Sequence, residues 1–162
     1  MPALLLSVHR ARPRRAHREA PRASDRGKRG PSECLTPEQA LWREAPGEWN
    51  VVEIVGHLAD TERVFEYRAL HIARADAARW TNVEFGDYAK AANFQERPLG
   101  DVVAEYAAVR AAFVALLRGL DAAAWERRAP ADWTLRSVRA TAYAMAGHEL
   151  HHLASIRRQH DV

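Results

Sequence analysis

The stretch from Val51 to Asp76, "VVEIVGHLADTERVFEYRALHIARAD", limits the possible folds more than any other part of the chain. Ile54, Leu58, Thr61, Phe65 and Ile72 recur at helical spacings and share one face. Asn50 stands where an N-cap belongs, and Glu53 three residues on completes a capping box. Trp49, just before the cap, can pack on Ile54 as a hydrophobic staple. These signals predict a long helix from about Val51 to Ala75. "LGDVVAEYAAVRAAFVALLRGL" predicts a second, with apolar residues at 102, 106, 109, 113, 116 and 120. "DWTLRSVRATAYAMAGHELHHLASIRRQ" predicts the last helix. Its apolar face is Val138, Ala142, Met145, Leu153 and Ile156, and Trp133 and Thr134 act as staple and cap.

Shorter elements fill the gaps. "TPEQALWREA" reads as a short helix capped by Thr36, with Pro37 in its first turn, Gln39 completing the box, and Pro46–Gly47 ending it. Residues 76–98 are mixed and aromatic, and read as a long connection containing a turn or two. "DAAAW" reads as a single turn. No strands and no internal repeat are expected, so the fold class is all-α.

Charge divides the chain. Residues 1–34 hold nine basic and three acidic residues, and carry Pro2, Pro13, Pro21 and Pro31. They read as a disordered Arg/Pro-rich tail, with a trace of transit-peptide composition or a start assigned too early. The other 15 basic and 18 acidic residues leave 35–162, the expected folded domain, at −3. That balance speaks against a nucleic-acid surface on the domain. No apolar run approaches the ~18 residues of a membrane span. Cys34 is the only cysteine, which excludes an intrachain disulfide and suits a reducing, cytoplasmic setting.

The chemistry-bearing residues are histidines. His148 and His152 lie one turn apart at the edge of the last helix's apolar face, and His57 lies at the edge of the first long helix's inner face. Two histidines at i and i+4 can share a metal; a third from another helix makes a three-nitrogen site with open positions, suited to catalysis. The alternative is three polar residues at a bundle edge. His151 points elsewhere, and His9, His17, His71 and His160 have no partner pattern. His148, Glu149 and His152 also spell H-E-x-x-H, but the zinc-protease reading fails. Only ten residues follow His152, Ser155 and Arg158 stand where the extended motif has glycine and histidine, and no edge strand precedes.

"APGEWNVVEIVGHLADTERVFEYRALHIARAD", "RPLGDVVAEYAAVRAAFVALLRGL" and "AGHELHHLASIR" together resemble the DinB/YfiT-like family of metal-dependent helical-bundle enzymes, over about Leu35 to Arg158. The resemblance implies a four-helix bundle with a long crossover connection. It also implies an open metal site that maps to His57, His148 and His152, with zinc or nickel as the expected metal. Family relatives include transferases and isomerases using low-molecular-weight thiols such as bacillithiol or mycothiol. The family's full first helix is reduced here to "TPEQALWREA": either the start is assigned too early, or the bundle is short of a helix, which would expose a neighbour's apolar face and favour a homodimer or instability.

A dication held by three neutral imidazoles lowers the pKa of a bound water or thiol. The expected function is therefore a metal-dependent enzyme acting on a small molecule, a thiol S-transferase or a hydrolase, with a low-molecular-weight thiol as possible cosubstrate. The alternative is a non-catalytic metal- or ligand-binding stress protein. Glu149 is a candidate general base, although its inward direction equally suits a structural pairing with Arg110. Arg68 is a candidate contact for an anionic substrate, and Asp87 and Tyr88 are candidates to reach the open metal positions. Asp60 and Glu62 are read as solvated.

Overall fold

The structure, a computed structural model, describes residues 35–78, 80, 82–131 and 134–160. The expected tail (1–34), Cys34 and the Trp133 staple lie outside the described residues. The chain order is α1 (Pro37–Leu41), α2 (Val51–Ala73), α3 (Phe85–Ala92), a 3-10 turn (Phe94–Glu96), α4 (Leu99–Arg118), α5 (Ala122–Glu126), β1 (Arg128–Ala131), β2 (Thr134–Ser137) and α6 (Val138–His160). No described helix is long and apolar enough to cross a membrane.

Helix α2 is the axis of the bundle, packed by α4 on one side and α6 on another. Its start is the capping box expected from sequence: Asn50 accepts from the Glu53 N–H, and Glu53 accepts from the Asn50 N–H, both at 3.0 Å. The box is buried, so a lost bond there is not replaced by water. Gly56 lies under the Phe94 ring so closely that a Cβ there would overlap it. Helix α4 buries Val102, Tyr106, Val109 and Phe113, four of the six predicted positions, and half-buries Leu116; Leu120, also half-buried, falls just past its end.

Four local expectations change. Helix α1 stops at Leu41 rather than at Pro46–Gly47, because Trp42 turns extended and sets its ring edge-on against His160 at 5.9 Å. Gly47, at φ +90°, supplies the later turn instead. The 76–98 connection contains the eight-residue α3, which lacks a side-chain N-cap and ends at Asn93 in the left-handed region. Strands are present: β1 and β2 form an antiparallel pair running from Arg128 opposite Ser137 to Ala131 opposite Thr134. The last helix consequently starts at Val138, one turn later than the Thr134 cap implied. Ser137 takes the capping role, its Oγ accepting from the Ala140 N–H at 3.1 Å.

The core falls into two apolar clusters. One gathers Val52, Ile54, Leu58, Phe94, Val102, Tyr106 and Ile156; the other gathers Ile72, Phe113, Val138 and Met145. Between them along α2 lies a polar stretch that includes Thr61 and Glu62. This layer bears on the site.

Candidate metal centre

His57 is in the second turn of α2 and is buried; His148 and His152, one turn apart on α6, are half-buried. The packing of α6 on α2 brings the three imidazoles together. His148 Nε2 stands 3.2 Å from His57 Nε2 and 3.1 Å from His152 Nε2. One nitrogen from each ring can be chosen so that all lie within 4.8 Å of one another. A neutral imidazole carries one N–H, so His148 Nε2 cannot donate to both neighbours. Imidazole nitrogens sharing a tetrahedral zinc at ~2.0–2.1 Å stand about 3.3–3.4 Å apart, and the observed spacings fit that chemistry.

The surroundings hold the rings in the ligating form. Burial, and then the charge of His148, pushes His57 down to about 4. Burial, then His148, His57 and His151, pushes His152 down to about 4. His148 is lowered by burial first, then by His151 and Arg110. All three are therefore neutral at pH 7, as metal ligation requires. Thr61 Oγ1 lies 3.4 Å from His57 Nδ1 and 3.5 Å from Nε2; a proton on Nδ1 directed at this hydroxyl leaves the Nε2 lone pair free.

Two aromatic residues wall the triad. The Trp49 ring lies 4.6 Å from that of His57 and, near-parallel, 6.3 Å from that of His152. Phe85, brought back by α3, meets His57 edge-on at 5.9 Å. A cavity of about 260 Å³ opens beside His152, lined by Trp49, Ile54, His151, Ser155 and Gln159 among others. Trp49 entered the sequence reading only as a staple, and Phe85 not at all; no local pattern ties either to a histidine.

Glu149 projects into the core, 3 % exposed, and pairs with Arg110 at 3.2 Å, as its inward direction implied. The same Arg110 nitrogen stands 2.9 Å from Glu62 and donates to the Tyr106 hydroxyl at 2.7 Å. Glu62 corrects the sequence reading: it is fully buried, not solvated. The signal was available, since four residues on from Leu58 is only about 40° around a helix. Asp60 is half-exposed and pairs with Arg63 at 3.2 Å.

The other candidates make contacts of their own. Arg68 is buried, its guanidinium over the Phe65 ring at 5.2 Å and the Trp80 ring at 5.8 Å. Asp87 is exposed and pairs with Lys90 at 3.4 Å. Tyr88 is exposed and packs on Phe85 at 6.4 Å, one ring removed from His57. His151 is exposed, as expected, whereas His71 is buried, edge-on to Trp80 and 3.5 Å from Asp76.

Comparison with known proteins agrees with the helical fold. A solved structure, YfiT from Bacillus subtilis, superposes with a TM-score of 0.64 at 18 % identity, covering 78 % of this chain and 75 % of that one. It is described as a probable metal-dependent hydrolase with an unusual four-helix bundle topology. At that identity the likeness establishes the fold. No curated protein matches the chain. The DinB superfamily model matches residues 32–156, and the chain belongs to that superfamily.

Proposed function

We propose that this protein is a metal-dependent enzyme acting on a small molecule, with His57, His148 and His152 holding one divalent ion, zinc or nickel. The convergence of three neutral Nε2-bearing rings from two helices carries the reading. A bound metal would supply Lewis acidity and lower the pKa of a water or thiol in an open position. His57, His148 and His152 leave such positions open because among the described residues no fourth ligand joins them. Trp49 and Phe85 screen one ligand ring from water and limit its movement. The cavity beside His152 is the route by which a small substrate reaches the site.

Two reactions share this arrangement: hydrolysis, and transfer to a low-molecular-weight thiol. The description of YfiT as a probable metal-dependent hydrolase supports the first. Glu149, held by Arg110 in the core, serves as support rather than as a base. Arg68, Asp87 and Tyr88 remain candidate substrate contacts.

Metal analysis of the purified protein, with His57→Ala and His148→Ala variants, tests the site. One equivalent of metal in wild type, lost from both variants, is expected. No stoichiometric metal, or metal retained by both variants, refutes it. Turnover of activated esters and conjugation of thiols to an electrophilic dye, with and without metal, then test the reaction class. No metal-dependent turnover in either assay would favour a non-catalytic metal-binding protein.

A further inference from the structure

The least expected feature of the interior is a charge cluster with an odd count. Arg110 of α4 sits between two carboxylates, Glu62 of α2 at 2.9 Å and Glu149 of α6 at 3.2 Å. Both carboxylates are almost wholly buried, and the Arg110 side chain is 12 % exposed. Arg110 at 2.9 Å is the one partner found for the Glu62 carboxylate among the described residues. One cation against two anions leaves a buried net charge of −1, a state the interior disfavours. The cluster also belongs to the neighbourhood of the triad. Glu149 follows His148 directly in α6 and pairs with Arg110 at 3.2 Å, which places the cluster one residue along the helix from a ring of the triad. Arg110 on its own therefore opposes positive charge at the triad, and the two carboxylates reverse that sign.

Resting on the metal reading above, we infer that the Glu62–Arg110–Glu149 cluster is the counter-charge of the three-histidine centre, and that a divalent cation arriving there expels a proton from Glu62 to solvent. Below about pH 7 and without the cation, Glu62 keeps a proton and the cluster is neutral. With it, the carboxyl O–H ionises, the proton passes to bulk water, and the buried −1 faces the cation. Burial already holds Glu62 up, at about 7; Arg110 lowers it, and Glu149 and Glu66 raise it further. Tyr106, which also faces the cluster, is a neutral phenol whose own pKa burial raises. Glu62 is thus a positioning and charge-matching residue that touches neither metal nor substrate.

The test is zinc titration of the full chain, wild type and Glu62→Gln, by chelator competition at pH 6 and pH 8. Proton release is measured calorimetrically in two buffers of different ionisation enthalpy at pH 7. Glu62→Gln should weaken zinc binding about tenfold at pH 8 and by less than about threefold at pH 6, the range for supports behind a ligand. It should also release fewer protons than wild type. Equal affinity at both pH values, an equal loss at both, or unchanged proton release would overturn the inference. In wild type at pH 6.5, zinc should cut the infrared carbonyl band of a protonated buried carboxyl by more than half. This readout needs no variant to fold, and a band undiminished with zinc bound would also overturn the inference. A wild type that binds no zinc would instead remove the metal reading on which it rests.

Discussion

Acid should destabilise the metal-free protein through the same burial that prepares its ligands. His57 is 7 % exposed, and its pKa is held at about 4 against an ordinary 6.5. His152 shows the same displacement but keeps more solvent contact. Between those values the unfolded chain binds protons that the folded chain refuses. Stability is therefore complete above about pH 7 and falls as the pH drops through 6.5 toward 4. At about 1.4 kcal/mol per pKa unit, His57 alone accounts for about 3 kcal/mol of loss. His152 adds a smaller share because water screens its ring. The assay is urea unfolding of chelator-treated protein at pH 7.5 and pH 5, for wild type, His57→Phe and the exposed control His151→Ala. Most of the fall should be complete by pH 5, and His57→Phe should lose about 2 kcal/mol less than wild type across that interval. The control should follow wild type. If His57→Phe falls as steeply as wild type, burial of the imidazole is not the source and the account of the triad as a set of enforced neutral ligands is wrong.

Three structural perturbations have definite signs. Gly56→Ala should destabilise by about 1–3 kcal/mol despite the better helix propensity of alanine, because its methyl must displace the Phe94 ring; an unchanged urea midpoint would refute that contact. Asn50→Ala should cost about 1–2 kcal/mol, at the upper end for a cap because the box is buried, as read by thermal or urea unfolding. Arg110→Met should cost about 3–5 kcal/mol at pH 8 by stranding two buried carboxylates, and adding Glu62→Gln and Glu149→Gln should recover much of it. Equal stability of the single and triple variants would show that the cluster is not coupled.

Local chemistry alone determined the long helices. The apolar spacing in α2 and α4, the Asn50–Glu53 and Thr36–Gln39 boxes and the one-turn separation of His148 and His152 all involve residues within a few positions of one another. For that reason the three candidate ligands and the inward course of Glu149 were legible, with the family resemblance pointing to the same histidines. The hairpin was not legible, because β2 owes its pairing to β1 and not to its own four residues, and the helix start moved with it to Ser137. Helix α3 is short, uncapped at its start and packed on α2, so its place was decided by tertiary contact.

The same division runs through the site. Sequence could put His57 on one helix and the histidine pair on another, but only the approach of α6 to α2 brings three Nε2 atoms to neighbouring positions. Trp49 and Phe85 close on His57 from segments flanking α2 and from α3, a proximity that no spacing encodes. Glu62 shows the limit most clearly. Its angular position already lay within the buried arc of α2, but a carboxylate there is tolerable only because Arg110 comes to it from α4, and that partner lies 48 residues away along the chain. Helix periodicity is a property of one segment. Charge compensation and ligand convergence are properties of several packed together, and tertiary structure alone decides them.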